Sequence, residues 1–129
     1  AGEGLPAAPV LSLAVSSNFK RLPTLAEQQP SFRGAVFAGT DGAGLYRSKD
    51  GGQSWQALPG FPQEEIVNAL NFTSQGVLLA ATGEQGILMS TNLGESWESR
   101  LEIQDSVLCL GEWNGKQLAG TAASGLLIF

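Results

Sequence analysis

Residues 40–55 return at 82–97 without a gap. The stretches TDGAGLYRSKDGGQSW and TGEQGILMSTNLGESW agree at six of sixteen positions: Thr40/Thr82, Gly44/Gly86, Ser48/Ser90, Gly52/Gly94, Ser54/Ser96 and Trp55/Trp97. The offset is 42 residues throughout. A third, truncated copy follows after 39 residues, where Gly120-Thr121 matches Gly39-Thr40 and Gly125 matches Gly44 and Gly86. A repeat of this length is one supersecondary unit that cannot bury its apolar face alone, so neighbouring copies must stack.

The unit is made of strands. In the second copy, 66–72 reads as a first strand closed by the turn Thr73-Ser74-Gln75-Gly76. An unbroken apolar run at 77–82 reads as a second strand buried on both faces. Gly83 to Gln85 turns the chain into a third strand at 86–90, and 96–101 reads as a polar fourth, outermost strand. The third copy has strands at 107–113 and 117–121, joined by Asn114-Gly115, a strong two-residue hairpin signal. The first copy opens at 10–16 and resumes at 35–40. Four strands in a period near 40 are the pattern of a β-propeller blade. The expected fold is therefore all-β, about three four-stranded propeller blades forming a partial propeller with the third incomplete. Residues 1–9 are an N-terminal extension and 10–129 the partial propeller. Blade one is 10–58 with an insertion at 17–34, blade two 66–101 and blade three 106–129. The 17 glycines, without collagen-like periodicity, agree with many tight turns.

Ser48-Lys49-Asp50-Gly51-Gly52-Gln53-Ser54-Trp55 fits the pattern S-x-D-x-G-x-[ST]-W at every defined position. Over residues 35–129 the chain thereby resembles the Asp-box (BNR) repeat family of sialidase-like, sortilin-like and photosystem-assembly-factor-like propellers. The resemblance implies a fold and carries almost nothing about activity. Its physical sense is a tight hairpin. Asp50 accepts backbone N–H groups just downstream, Gly51 and Gly52 permit positive φ, Ser48 adds a local hydroxyl bond, and Trp55 covers the turn. In the second box, Ser90, Asn92, Gly94, Ser96 and Trp97 take the same positions, with Asn92 keeping the acceptor oxygen without the charge. These ten residues are assigned a structural role.

The remaining candidates for chemistry are sparse. There is no histidine. A sialidase-type site needs clustered arginines, whereas Arg21, Arg33, Arg47 and Arg100 are scattered, and Arg47 reads as a solvated strand residue. Xyloglucanase-like glycosidases use two aspartates across a cleft. Asp41 and Asp105 are the only aspartates outside a box, and they read as a turn and a loop residue. Glu64-Glu65 reads as a solvated linker, and Cys109, the single cysteine, as a small buried hydrophobe. No catalytic residue, cofactor site or metal-ligand spacing is assigned. Asn71-Phe72-Thr73 is a formal glycosylation sequon.

The net charge of −5 is dispersed, and no basic stripe exists to neutralise phosphates, which argues against a nucleic-acid partner. No apolar run approaches the ~20 residues of a membrane span. The segment 17–34 is the part that the repeat does not require, and loops beyond about 12–15 residues are commonly functional. Thr24 and Glu27 could cap a short helical turn there. Phe19, Lys20, Arg21 and Phe32 make the segment a candidate partner-binding insertion. The expected function is a non-enzymatic binding or assembly scaffold that completes a ring by association, as a homo-oligomer or with the remainder of a longer propeller. A protein or carbohydrate would be its partner, and a secreted, periplasmic or lumenal compartment its setting. The alternative is a fragment of an Asp-box glycoside hydrolase, sialidase- or xyloglucanase-like, with its catalytic residues outside this chain.

Overall fold

A computed structural model describes residues 4–16 and 35–129. The fold is all-β, with three antiparallel sheets of four, four and three strands. Sheet I holds β1 (Val10–Val15), β2 (Val36–Thr40), β3 (Leu45–Ser48) and β4 (Gln56–Ala57) in chain order. Sheet II holds β5 (Val67–Phe72), β6 (Leu78–Thr82), β7 (Ile87–Ser90) and β8 (Glu98–Leu101), and sheet III holds β9 (Val107–Trp113), β10 (Lys116–Thr121) and β11 (Leu126–Ile128). These strands lie within about two residues of the positions that the repeat predicts. The segment 17–34, with Phe19, Lys20, Arg21, Phe32 and the capping pair Thr24 and Glu27, lies outside the described residues.

The repeat is visible as hydrogen bonds. The backbone N–H of Thr40 donates to the Gly44 carbonyl (3.1 Å), as does its hydroxyl (2.7 Å), and the hydroxyl oxygen accepts from the Ala43 N–H (3.0 Å). Thr82 makes the same three bonds with Gly86 and Gln85 at 2.9, 2.8 and 2.8 Å. Thr121 makes them with Gly125 and Ser124 at 3.0, 2.8 and 2.8 Å. A further bond closes each sheet's start: Asp41 N–H to Pro9, Gly83 N–H to Ile66 and Ala122 N–H to Ser106. Each sheet also has one register shift near the start of its first strand, between Val10 and Ser12, between Val67 and Ala69, and opposite Gly120/Thr121. The Asn114-Gly115 hairpin holds both residues at positive φ (52° and 79°), the two-residue geometry whose twist matches the strands.

The sheets stack face to face through two apolar layers. Ala14, Phe37 and Leu45 of sheet I pack with Leu70, Phe72, Leu78, Ala80 and Leu88 of sheet II. Leu79, Ala81, Ile87 and Met89, on the other side of sheet II, pack with Leu110, Ala119 and Leu127 of sheet III. Every residue of β6 is buried, as its unbroken apolar run requires. We call the face turned to the next sheet in sequence the forward face and the opposite one the rear face. The forward face of sheet III and the rear face of sheet I expose Leu126, Ile128, Leu13 and Val15.

Two sequence expectations fail here for one reason. Cys109 is free and exposed rather than buried, because it lies on the forward face of sheet III, which has no sheet against it among the described residues. Arg47 is 8% exposed rather than solvated, because it lies on the forward face of sheet I, which sheet II covers.

Candidate functional site

The sequence singles out two turns, and both are built from side chains that bond to their own backbone. In the first, the Ser48 hydroxyl donates to Asp50 Oδ1 (2.7 Å) while its oxygen accepts from the Gly52 N–H (2.8 Å). Asp50 Oδ1 accepts from the N–H groups of Gln53 (3.0 Å) and Ser54 (2.9 Å), and Oδ2 accepts from the Ser54 hydroxyl. The Trp55 indole N–H donates to the Gly52 carbonyl (3.1 Å). Gly51 and Gly52 take φ of 76° and 97°, which permits the reversal. The hydroxyl of Ser54 above all, then its N–H and the Ser48 hydroxyl, hold the Asp50 carboxyl well below its ordinary value.

The second turn repeats this geometry with one bond reversed and one moved to the backbone, where the Glu95 N–H donates to the Asn92 carbonyl (3.3 Å). Ser90 Oγ donates to Asn92 Oδ1 (2.8 Å) and accepts from Gly94 N–H (2.8 Å), Ser96 N–H donates to Asn92 Oδ1 (3.0 Å), and the Trp97 indole donates to Gly94 (3.1 Å). At the remaining position Asn92 Nδ2 donates to Ser96 Oγ (2.8 Å), where Asp50 accepts from Ser54. The serine hydroxyl serves either way, so an uncharged amide fits. Leu93 stands at the position of Gly51 and keeps a left-handed φ of 58°, while its side chain packs into the core layer between sheets I and II.

What surrounds the two turns differs. The second is wedged against sheet I. Arg47 Nη1 donates to the Leu93 carbonyl (2.7 Å), and Nη2 pairs with Glu95 (3.1 Å). A Cβ on Gly94 would stand 2.9 Å from the Phe37 ring and 3.0 Å from Leu58. The Phe61 ring meets Trp97 edge-on at 5.0 Å. By contrast, a Cβ on Gly52 would approach only Trp55, at 3.7 Å. Each Trp also has a linker glycine against it: Gly60 lies along Glu95 to Trp97, and Gly4 lies against the Trp55 backbone.

The acidic residues are dispersed. Glu65, read from sequence as solvated, is buried and accepts from the N–H groups of Ile66 (2.8 Å) and Gly83 (3.1 Å), bracing the start of sheet II. Its reach across 18 residues to Gly83 is not encoded in its local sequence. Asp41 is exposed in its turn. Asp105 Oδ2 accepts from the N–H groups of Ala123 (2.8 Å) and Ser124 (2.7 Å), and the Ala123 bond leads in lowering its carboxyl. Glu112 is tied to the Ser74 hydroxyl (2.7 Å) and N–H (3.0 Å), and the hydroxyl bond leads in lowering its carboxyl. Asp105 and Glu112 are thus occupied in loop bonds, and neither Asp41 nor Asp105 lines the cleft described next. An open cleft of about 370 Å³ lies beside the second Thr-turn, where Glu84, Gln85, Ser99, Glu102 and Gln104 line it with Leu88 and Ile103. Nothing in the sequence marked it, since its residues come from two loops and two strands that the repeat treats as ordinary. Among the described residues, no group of three or more His, Cys, Asp and Glu side chains is placed to hold a metal ion. No described helix is long and apolar enough to cross a membrane.

No protein-family model matches this chain, and no curated protein matches it in sequence.

Proposed function

We propose that the chain is a non-enzymatic binding or assembly scaffold, built from Asp-box propeller blades and completing a ring by association. The observation that carries this reading is how the polar side chains of the repeat are used. Ser48, Asp50 and Ser54, and Ser90, Asn92 and Ser96, direct hydrogen bonds into their own hairpins. Those bonds stabilise a turn and leave the charge of Asp50 committed to it. The apolar strands, meanwhile, end in faces that no other described sheet covers, with Leu13, Val15, Leu126 and Ile128 more than half exposed. Exposed apolar area of this kind marks an interaction surface. From its sequence we assign the segment 17–34 to a protein or carbohydrate partner.

The test is an activity screen on the purified chain against sialosides, xyloglucan and aryl glycosides. No turnover is the expected result. Hydrolysis that survives repurification and disappears in Asp41→Asn or Asp105→Asn would overturn the scaffold reading in favour of a glycoside hydrolase.

A further inference from the structure

The two joints inside the molecule specify what fits the two faces that no described sheet covers. In both, a forward face receives the rear face of the next sheet. The uncovered pair is one of each kind, the forward face of sheet III and the rear face of sheet I.

Position-by-position correspondence makes the match specific. The repeat offsets of 42 and 39 residues align Leu45, Ile87 and Leu126, all on forward faces. Leu45 and Ile87 are 2% and 0% exposed, whereas Leu126 is 67% exposed. On rear faces, Leu70 packs into the joint between sheets I and II, while its counterpart Leu13 is 62% exposed. Small residues recur at the centre of the second strand, as Ala38-Gly39, Ala80-Ala81 and Ala119-Gly120, which lets each pair of sheets approach closely. The rear face of sheet I carries Leu13, Val15 and Tyr46, and the forward face of sheet III carries Cys109, Leu118, Leu126 and Ile128, with Trp113 and the single charge of Lys116 at its hairpin end.

The polar contact at the joint has a counterpart too. At the first joint the Ser12 hydroxyl donates to the Val67 carbonyl (3.1 Å), from a position paired with Gly39. In sheet III, Cys109 is paired with Gly120, the counterpart of Gly39. The carbonyl corresponding to Val67 is then that of Val10, and Cys109 carries a thiol where Ser12 carries a hydroxyl, a weaker donor of the same reach.

We infer that the forward face of sheet III takes the rear face of sheet I from a second copy of this chain, head to tail, so that two copies are joined twice about a two-fold axis. The inference rests on the assembly reading above and adds to it the pairing of faces. Two like faces packed together would instead set Leu126 and Ile128 against themselves, a combination that neither internal joint uses.

Mixing experiments test the sense of the pairing. Leu13→Asp spoils one face and Leu126→Asp the other. Light scattering at micromolar concentration should give twice the chain mass for the unaltered protein and the single-chain mass for each variant alone. An equimolar mixture of the two variants should recover a two-chain particle, since one joint then pairs two intact faces. Val15→Glu and Ile128→Glu form a second pair with the same expectation, used if either aspartate variant fails to give a native melt. Modification of Cys109 by a thiol reagent should slow several-fold on going from dilute, dissociated chain to the associated form. Pairing that persists in either variant alone would overturn the head-to-tail arrangement while leaving assembly intact. A single-chain mass for the unaltered protein would overturn this inference and the self-assembly it rests on, leaving the activity screen to judge the rest of the scaffold reading. Open-ended growth would overturn the two-fold closure alone.

Discussion

The turns at 48–55 and 90–97 share a hydrogen-bond plan and differ in their surroundings. The first carries a charged acceptor, Asp50, and stands exposed, its glycines free of contact with another sheet. The second carries a neutral acceptor, Asn92, and presses Gly94 into Phe37 and Leu58 while Arg47 holds its Leu93 carbonyl from sheet I. The hairpin is therefore a local device that closes by itself. Its second use, as a wedge between sheets, comes from the neighbour and not from the motif. Charge at the acceptor is dispensable for the first role, since an amide can satisfy the same serine.

The sharpest way to break the comparison is to add one methyl group to each turn. Gly94 has φ of 89° and Gly52 has φ of 97°, so alanine strains both backbones by about 1–3 kcal/mol. At Gly94 the new Cβ also meets the Phe37 ring, which is fully buried and packs edge-on to Phe72, so it cannot swing away. Overpacking adds about 1–3 kcal/mol there. Denaturant melts should place Gly94→Ala clearly below Gly52→Ala, and equal losses would show that the wedge carries no stability.

Arg47→Met comes next. It keeps much of the side-chain volume but leaves the Leu93 carbonyl without its guanidinium, at a cost of about 1–3 kcal/mol. The Glu95 partner is largely exposed and contributes little to that figure. The same denaturant melts, with and without high salt, should show a loss that salt barely changes. A loss abolished by salt would assign the effect to the ion pair instead.

The smallest effects sharpen the contrast in charge. Asp50 is held below its ordinary value of 3.8, so its contribution is complete above about pH 4 and disappears as the pH falls through the folded value. Asp50→Asn should lower Tm by a few degrees near neutrality, and the gap to the unaltered protein should narrow steadily as the pH falls below about 4. Asp105 and Glu112 are lowered as well, so the variant should keep part of its acid sensitivity. Asn92→Asp should be nearly neutral at pH 7, with Ser96 turning its hydroxyl to donate, and should gain an acid limb of its own. A gap in Asp50→Asn that is constant with pH would remove the charge from the account of the first turn.

Much of this architecture was legible because the repeat writes its constraints locally. Thr40, Thr82 and Thr121 each bond to a glycine four residues on, so their spacing carries the turn whatever the rest of the chain does. The apolar run of β6 likewise announces its burial on both sides. Arg47 was misread because its partner lies 46 residues away in the next sheet, and nothing around Arg47 in the chain mentions it. Glu65 hid for the same reason, as its second N–H belongs to Gly83. Cys109 looked like a core residue because its sequence matches one. The face it occupies is largely apolar, and no other described sheet lies against it.

The arrangement of linker glycines has a mechanical side. Gly60 lies against Glu95, Ser96 and the indole edge of Trp97 in the sheet it leads into, and Gly4 lies against the Trp55 backbone in the same sense. Each connecting segment is thus clamped by the sheet that comes after it. Drawn from its N-terminal end, such a chain meets its first latch at Trp55, and the latch at Trp97 bears load only once sheet I has peeled away. The molecule would resist pulling as a series of separate catches, released one sheet at a time, and would recoil by snapping them shut in the reverse order.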